Sequence, residues 1–385
     1  GRGGDGGGGR NVTRVLVAGG GTGGHVFPMI AVAEALKLLE PAAEIVFVGT
    51  GRGIETRVVP EAGGRLELLD VLPLRGHGLG GFVRGAMRAM TVLPRARALV
   101  KRLAPDVVFS VGGYAAGPVT LAARSAGVPV TLLEPNAVWG FTNKLLKPLV
   151  QRVYGGFPET VTGLGPRALW TGVPLRTKFA PTEGESRDAL VRVLVMGGSQ
   201  GALALNETVP RALARYQGSV NVEIVHQTGR DKDASVRALY AELGLRADVV
   251  PFIDDVAAAI AKADLVVERS GAGSLAELCA IGRASVLVPY PYAADDHQRY
   301  NALSLSKDGA AACVVQSEAS VERVAAELQT LLDDAPARQA MAARARGRGR
   351  PDAAATIARD LLELAHASGR RLGQKSTRLS EVSQP

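Results

Sequence analysis

Cysteine is almost absent: Cys279 and Cys313 are the only two in 385 residues, far apart and outside any C-x-x-C or Cys/His cluster. That argues against a disulfide framework and a thiolate metal site, and it suits a reducing compartment. Aromatic residues make up only 4%, which disfavours a base-stacking surface for nucleic acid. No apolar run approaches the roughly 18 residues of a membrane span. The best candidate, 256–267, is interrupted by Lys262 and Asp264. The first residues show no charged stretch followed by an apolar core, so no signal sequence is expected.

What is present bounds the class. The length suits two or three domains, and 46% hydrophobic residues suffice for sizeable cores. The formal charge of +8 would suit nucleic acid or an anionic membrane, but a basic excess alone selects neither. No nucleic-acid partner is expected, since the basic residues collect in tails and helices instead of one stripe. GRGGDGGGGR at 1–10 and the polar stretch 367–385 lack an apolar period and read as disordered tails.

Between the tails lies an approximate repeat. RVLVAGGGTGGHVFPMIAVAEAL (14–36) and RVLVMGGSQGALALNETVPRAL (192–213) each read as strand, glycine loop and helix, with Gly19 and Gly197 178 positions apart. Strand-like runs at 44–49, 106–113, 129–134, 221–227, 248–253, 264–270 and 284–290 alternate with helical stretches. This predicts an α/β chain with two doubly wound, Rossmann-like parallel sheets, whose ligands bind outside the carboxyl ends of the strands. Gly172 and Pro174 within 170–179 suggest a hinge between the halves. A final helix near 352–366 either belongs to the second half or returns to the first.

The loop after the first strand fits G-x-G-x-x-G through Gly19, Gly21 and Gly24, which invites a dinucleotide reading. Such a site also needs an Asp or Glu at the end of the second strand to bind a ribose hydroxyl. EIVFV is instead followed by Gly49-Thr50-Gly51, so the acid is missing, and only Arg52 leaves room for a 2′-phosphate. The expectation is a polar-ligand loop without a dinucleotide, its glycines clearing space for sugar and phosphate. His25 falls in the first helical turn, where the positive helix end favours an uncharged, basic imidazole. It reads either as a general base or as a helix-start histidine bonded to a nearby carbonyl. GGSQGA at 197–202 offers Ser199 and backbone amides for a diphosphate.

Five ordered motifs, GGGTGGHVFP, GGSQGA, PFIDD, RSGAGSLAE and PYPYAADDHQ followed by NA, closely resemble the MurG family over roughly 12–366. These bacterial enzymes transfer N-acetylglucosamine from UDP-N-acetylglucosamine to undecaprenyl-pyrophosphoryl-N-acetylmuramyl-pentapeptide, converting lipid I to lipid II. The resemblance implies a GT-B fold, with two Rossmann-like domains facing across a deep cleft. Its domains would be an acceptor- and membrane-facing one at 11–173, a UDP-sugar domain at 174–350, and a helix at 351–366 returning to the first.

The resemblance assigns donor contacts to Thr22, Gly23 and Gly24, with His25 as candidate base. It adds Asn136 from LLEPN, Arg176 from GVPLR, Ser199 on the phosphate side and Ile253 at uracil. Ala272, Gly273, Ser274, Leu275, Ala276 and Glu277 form the helix start over diphosphate and ribose, and Gln298 reads the sugar hydroxyls. A carboxylate such as Glu277 can accept from both ribose hydroxyls. Taken singly, Glu277 reads as a solvent-facing acid, Ser199 as an N-cap, Asn136 and Gln298 as loop hydrogen-bonders, and Arg176 as a hinge ion pair. Two positions depart from the family: HEQN has become Leu133-Glu134-Pro135-Asn136, and Glu268 stands where a small or neutral residue is usual.

No D-x-D pair lies in a position that suggests chelation of a nucleotide sugar's metal, so no essential metal is expected, and no cofactor. Asp254-Asp255 and Asp295-Asp296 read as loop or helix-cap acids. The implied partners are UDP-N-acetylglucosamine, lipid I, an anionic cytoplasmic membrane surface and other proteins of cell-wall synthesis. The membrane contact falls on Leu79, Phe82, Val83, Arg84, Met87 and Arg88, with Lys144–Leu149 extending it. Without the resemblance, 74–102 reads as an amphipathic helix facing the core. The alternatives are another GT-B enzyme, such as a glycolipid synthase or a UDP-N-acetylglucosamine 2-epimerase, and a reductase using a phosphorylated nicotinamide.

Overall fold

The computed structural model describes residues 12–71, 79–113, 115–176, 178–181, 190–198 and 200–382, without side-chain detail for 79–90 and 369–382. The first sheet has seven strands: β1 (Arg14–Ala18), β2 (Glu44–Gly49), β3 (Arg65–Leu68), β4 (Val107–Ser110), β5 (Val130–Glu134), β6 (Arg152–Gly155) and β7 (Ala168–Trp170). Their order is β3-β2-β1-β4-β5-β6-β7, and the pairs from β3 to β5 are parallel. VVFS in β4 and VTLLE in β5 are buried throughout. Continuous apolar strands of this kind belong to a parallel sheet covered on both faces.

The second sheet has six strands: β8 (Leu190–Met196), β9 (Asn221–Gln227), β10 (Asp248–Val250), β11 (Leu265–Glu268), β12 (Ala284–Leu287) and β13 (Ala312–Cys313). The order is β10-β9-β8-β11-β12-β13, parallel at every pair. Along β8, Val191, Val193 and Val195 enter one core while Leu194 and Met196 enter the other, as the two-residue period of a strand requires. The repeat read from the sequence is therefore a repeated topology. In each sheet the strand order reverses between the first and fourth strands, β1/β4 and β8/β11. Loops leaving the carboxyl ends there form a crevice.

The seven strand-like runs all contain strands, and those at 44–49 and 221–227 match β2 and β9 in full. β3 (RLEL), β6 (RVYG), β7 (ALW) and β13 (AC) lie outside those runs; each is short and holds at most one β-branched residue.

The domain limits differ from the expected ones. The described residues up to Leu133, Thr142–Tyr154, and those from Ala355 onward form one unit; Glu134–Phe141 and Gly155–Ala354 form the other. Residues 155–173 thus leave the first domain, because Phe157 and Val173 pack into the core shared by Leu194, Ile260 and Leu275. The proposed hinge at 170–179 lies inside the second unit for the same reason, with Leu175 and Phe179 in that core. The chain crosses between units near 133, 141, 154 and 354 instead.

The last helix runs Ala353–Val382, so the stretch 367–382, read as a disordered tail, is helical. Its Arg, Leu, Gln, Lys and Glu residues are good helix formers, and extending an existing helix adds one hydrogen bond per residue fixed. In the first unit Asp360 of this helix accepts from Tyr154 Oη at 2.6 Å and from Arg152 Nε at 3.0 Å. Among the described residues, no helix is long and apolar enough to cross a membrane.

Candidate active site

The glycine loop after β1 is held by an acid that the sequence did not reveal. Glu55 opens the helix Glu55–Glu61 and is fully buried. Its Oε2 accepts the Gly21 N–H at 2.9 Å, and its Oε1 accepts the Thr50 N–H at 2.9 Å and the Thr50 hydroxyl at 3.0 Å. No acid closes β2, and Glu55, six residues beyond Gly49, is turned inward onto the Gly21 and Thr50 backbone and the Thr50 hydroxyl. Gly20 has φ +143°, and a Cβ there would run into the Glu55 carboxylate. That glycine makes room for Glu55, which corrects the expectation that the loop's glycines all clear space for ligand. Gly21 differs, since nothing lies within 4 Å of where its Cβ would stand.

Thr22 follows directly and starts the helix Gly23–Leu39, its carbonyl accepting from the N–H groups of His25 and Val26 at 3.1 Å each. The half-buried His25 ring places Nδ1 3.4 Å from the Thr22 hydroxyl. Thr22, Gly23, Gly24 and His25 therefore share one helix start in the first unit.

In the second unit the helix Ala272–Ile281 starts at the β8/β11 switch point, and its N-cap Gly271 supplies no side-chain bond to the first turn. The first-turn N–H groups at Ala272, Gly273 and Ser274 suit an anion there. Leu275 places its side chain in the core and its N–H on the Gly271 carbonyl, while Ala276 is half-buried. Gln298 Oε1 accepts from Tyr290 N at 3.0 Å and Ser270 N at 3.3 Å, and Ser270 Oγ donates to the Gln298 carbonyl at 2.7 Å. Two N–H donors on one oxygen fix the orientation of this carboxamide and leave its NH₂ to donate. Arg269 holds the neighbouring strand exit by donating to the carbonyls of Val288 and Pro289.

Asn301, fully buried, joins these residues to the loop after β5. Its Nδ2 donates to Asn136 Oδ1 and to the Ser270 carbonyl, both at 3.1 Å, and its Oδ1 accepts from Ala137 N at 2.8 Å. Buried Glu134 accepts from the Asn136 N–H, the Asn136 side chain and Gly140 N. The LEPN departure thus retains a loop organised by its acid. Glu55 was not singled out in the sequence, and Asn301 stood there only as the NA of the fifth motif with no role assigned, because Gly21 and Ala137, which they bind, lie far away in the chain.

Burial pushes the Glu277 carboxyl up to about 7, with Lys178 and Arg176 pulling it down. Arg176 is exposed in the same unit. Burial, and then the nearby Glu277, push Glu268 well above the carboxylate range, and its Oε1 has no hydrogen-bond partner. Glu268 lies between Met196 and Leu287 in the sheet register, where burial favours the neutral form of the acid. Ile253 lies half-buried in the loop between β10 and the helix Val256–Lys262, against the core. Asp255 caps that helix through Ala258 N at 3.1 Å.

Ser199 lies outside the described residues. In the second loop Gly201, at φ +68°, has no room for a Cβ beside the Thr228 carbonyl. Gln227 bridges this loop, its Oε1 accepting from Gly197 N and its Nε2 donating to the Gly198 carbonyl, each at 3.1 Å. Leu79, Phe82, Val83, Arg84, Met87 and Arg88 sit on the helix Leu79–Leu103, but their side chains are outside the described residues. Of the proposed extension, Lys144 and Leu145 are exposed, whereas Leu146 is buried in the protein.

Comparison with known proteins covers both units. Residues 15–155 match the glycosyltransferase family 28 N-terminal domain, and 192–357 match the family's C-terminal domain. A UDP-N-acetylglucosamine–N-acetylmuramyl-(pentapeptide) pyrophosphoryl-undecaprenol N-acetylglucosamine transferase from Sorangium cellulosum is 56% identical over 380 residues, covering 96% of this chain and 94% of the relative. The crystal structure of Acinetobacter baumannii MurG is 34% identical, with a TM-score of 0.79, covering 91% of this chain and 99% of that one. A UDP-GlcNAc 2-epimerase from Neisseria meningitidis, at 13% identity, TM-score 0.64 and coverage of 91% and 100%, shares the fold alone. With both family 28 domains in order on two Rossmann-like sheets, and with such identity over nearly its whole length, the chain has the GT-B architecture and belongs to the MurG family.

Proposed function

We infer that the chain transfers N-acetylglucosamine from UDP-N-acetylglucosamine to the C4 hydroxyl of undecaprenyl-pyrophosphoryl-N-acetylmuramyl-pentapeptide, making lipid II from lipid I in peptidoglycan synthesis. The observation that carries this is the 56% identity with the Sorangium transferase over 96% of the chain. The distant epimerase shares only the fold, and fold alone does not carry function.

In our reading the second unit holds the donor. The N–H groups at the start of Ala272–Ile281 face the diphosphate, Glu277 accepts from the ribose hydroxyls, the Gln298 NH₂ meets the sugar, and Ile253 lies at uracil. Thr22, Gly23, Gly24, Asn136, Arg176 and Ser199 complete the donor contacts. Forming a β-1,4 bond from an α-linked donor inverts C1 in one displacement. The acceptor oxygen bonds to C1, the bond from C1 to UDP breaks, and the hydroxyl proton passes to a base. His25, at an open helix start, takes that role. Helix N-termini stabilise the departing diphosphate, so no step calls for a metal.

The acceptor is a lipid, and we place the chain as a peripheral protein at the cytoplasmic membrane face. Exposed Leu145 beside Lys144 supports this, as does the sequence of 79–88, which sets Leu79, Phe82, Val83 and Met87 beside Arg84 and Arg88. The deciding assay follows labelled UDP-N-acetylglucosamine with and without a lipid I analogue. Sugar transfer and UDP release that depend on the acceptor are expected; conversion of the nucleotide sugar without acceptor would identify an epimerase instead.

A further inference from the structure

We propose that Glu55 is a positioning residue for the transfer reaction: its buried carboxylate fixes the 19–25 segment, and with it the imidazole of His25. The proposal rests on the assignment of His25 as base.

Gly20 and Gly21, at φ +143° and +100°, occupy backbone regions that other residues seldom enter, and glycine is the freest residue in the chain. Glu55 removes that freedom with three bonds to two loops, one to Gly21 and two to Thr50. The surroundings are cut to fit the carboxylate, since a Cβ at Gly20, Gly49 or Gly53 would strike it.

Two further contacts lock the same segment. Ile54 N reaches the Gly21 carbonyl at 3.5 Å, and a Cβ at Gly113 would lie 2.6 Å from the Gly20 carbonyl, so those two backbones pass in close contact. From Gly21 the connection to the imidazole is one residue long. Thr22 opens the helix, its carbonyl takes the His25 N–H, and its hydroxyl lies beside Nδ1.

The loop also resembles a phosphate loop whose anion is already supplied. In a dinucleotide site the amides of the first glycine loop face a ligand; here the Gly21 amide is satisfied by an internal carboxylate. The chain thereby gains a rigid helix start that does not depend on a ligand to order it.

The test uses the full-length protein and the variants Glu55→Gln, Thr50→Val and His25→Ala, with three readouts: turnover with a lipid I analogue, UDP affinity by calorimetry, and hydrogen–deuterium exchange across 19–26. Glu55→Gln turns one accepting oxygen into a donor facing N–H groups. It should lower kcat by about 10- to 100-fold, the scale of a misplacement near 1 Å, leave UDP affinity within about twofold, and speed exchange in 19–26. Thr50→Val removes one hydroxyl donor and should move kcat and exchange in the same direction by a smaller factor; if Glu55→Gln does not fold, this variant decides. Unchanged exchange in 19–26 overturns the proposal whatever happens to kcat, as does faster exchange with wild-type turnover. Should His25→Ala keep its turnover while Glu55→Gln loses it with faster exchange, positioning by Glu55 stands and the base assignment falls.

Discussion

The side chains of Asn301 and Asn136 meet at 3.1 Å, Nδ2 donating to Oδ1, and this bond ties the loop after β5 to the helix that carries Gln298. Because Asn301 also serves Ala137 N and the Ser270 carbonyl, one buried carboxamide sets the entry to the Ala272 helix. Replacing Asn301 by Ala leaves these groups without partners, at about 1–3 kcal/mol for each buried one. Urea denaturation of Asn301→Ala should show a loss of about 3 kcal/mol, together with a raised donor KM. Unchanged stability would mean that water replaces the carboxamide.

Glu277 gives a pH dependence of donor capture. Its carboxyl, pushed up to about 7, is mostly protonated below that pH and cannot accept from both ribose hydroxyls. The kcat/KM for UDP-N-acetylglucosamine, which reports the free enzyme, should rise through an inflection near pH 7. Glu277→Gln should lose that inflection and raise the donor KM. An inflection that survives in the variant belongs to another group.

The reach of the sequence is clearest in β2 and β9. Both lie inside their sheets, and at six and seven residues, rich in valine and isoleucine, they are long enough to announce themselves. β3 reads RLEL and lies at a sheet edge, so neither its length nor its polarity distinguishes it from a loop. The site divides in the same way. Glycine loops, the Ala272 helix start, Gln298 and the Asn301 of the NA motif are local patterns or family motifs, whereas what Glu55 and Asn301 do shows only in the fold, where they bind Gly21 and Ala137, 34 and 164 residues away. The same holds for the domain limit, because Phe157 declares its core only when packed beside Leu275.

A structural histidine governs stability in mild acid. His226, buried between Tyr240 and Asn206, accepts from the Tyr240 hydroxyl at Nδ1 and donates from Nε2 to Asn206 Oδ1. Burial lowers its pKa from 6.5 to about 4. Between those values the unfolded chain binds more protons than the folded one, so stability falls as pH falls through that window. The loss by pH 4 approaches about 3 kcal/mol at 1.36 kcal/mol per unit. The difference in unfolding free energy between pH 7 and pH 5 should therefore be smaller in His226→Leu than in the parent protein; an equal difference would assign the acid sensitivity elsewhere.

Membrane contact separates two readings of one surface. Leu145 is 53% exposed and follows an exposed lysine, Lys144, a pairing that fits an anionic leaflet as well as ordinary solvent. Co-sedimentation with phosphatidylglycerol vesicles should be strong at low salt and decline as salt screens the cations. Leu145→Glu should weaken it, leaving soluble-acceptor turnover unchanged. Binding that ignores both salt and the substitution would rule out this patch.

For His25 the expected split lies between turnover and donor affinity. A base acting on the acceptor hydroxyl contributes about 10²–10⁴-fold to rate and nothing to nucleotide binding. His25→Ala should therefore lower kcat within that range while UDP affinity by calorimetry stays close to that of the parent. A fall in UDP affinity with kcat preserved would make His25 a donor contact at the helix start, alongside Thr22 and Gly24. Thr22→Val sharpens the distinction, because it removes the hydroxyl beside Nδ1 and keeps the backbone carbonyl that starts the helix. If the hydroxyl orients the ring, Thr22→Val lowers kcat in the same direction as His25→Ala by a smaller factor, and it has no further effect once His25 is already alanine. Additive losses in the double variant would separate the two residues and leave the imidazole to be held by other contacts.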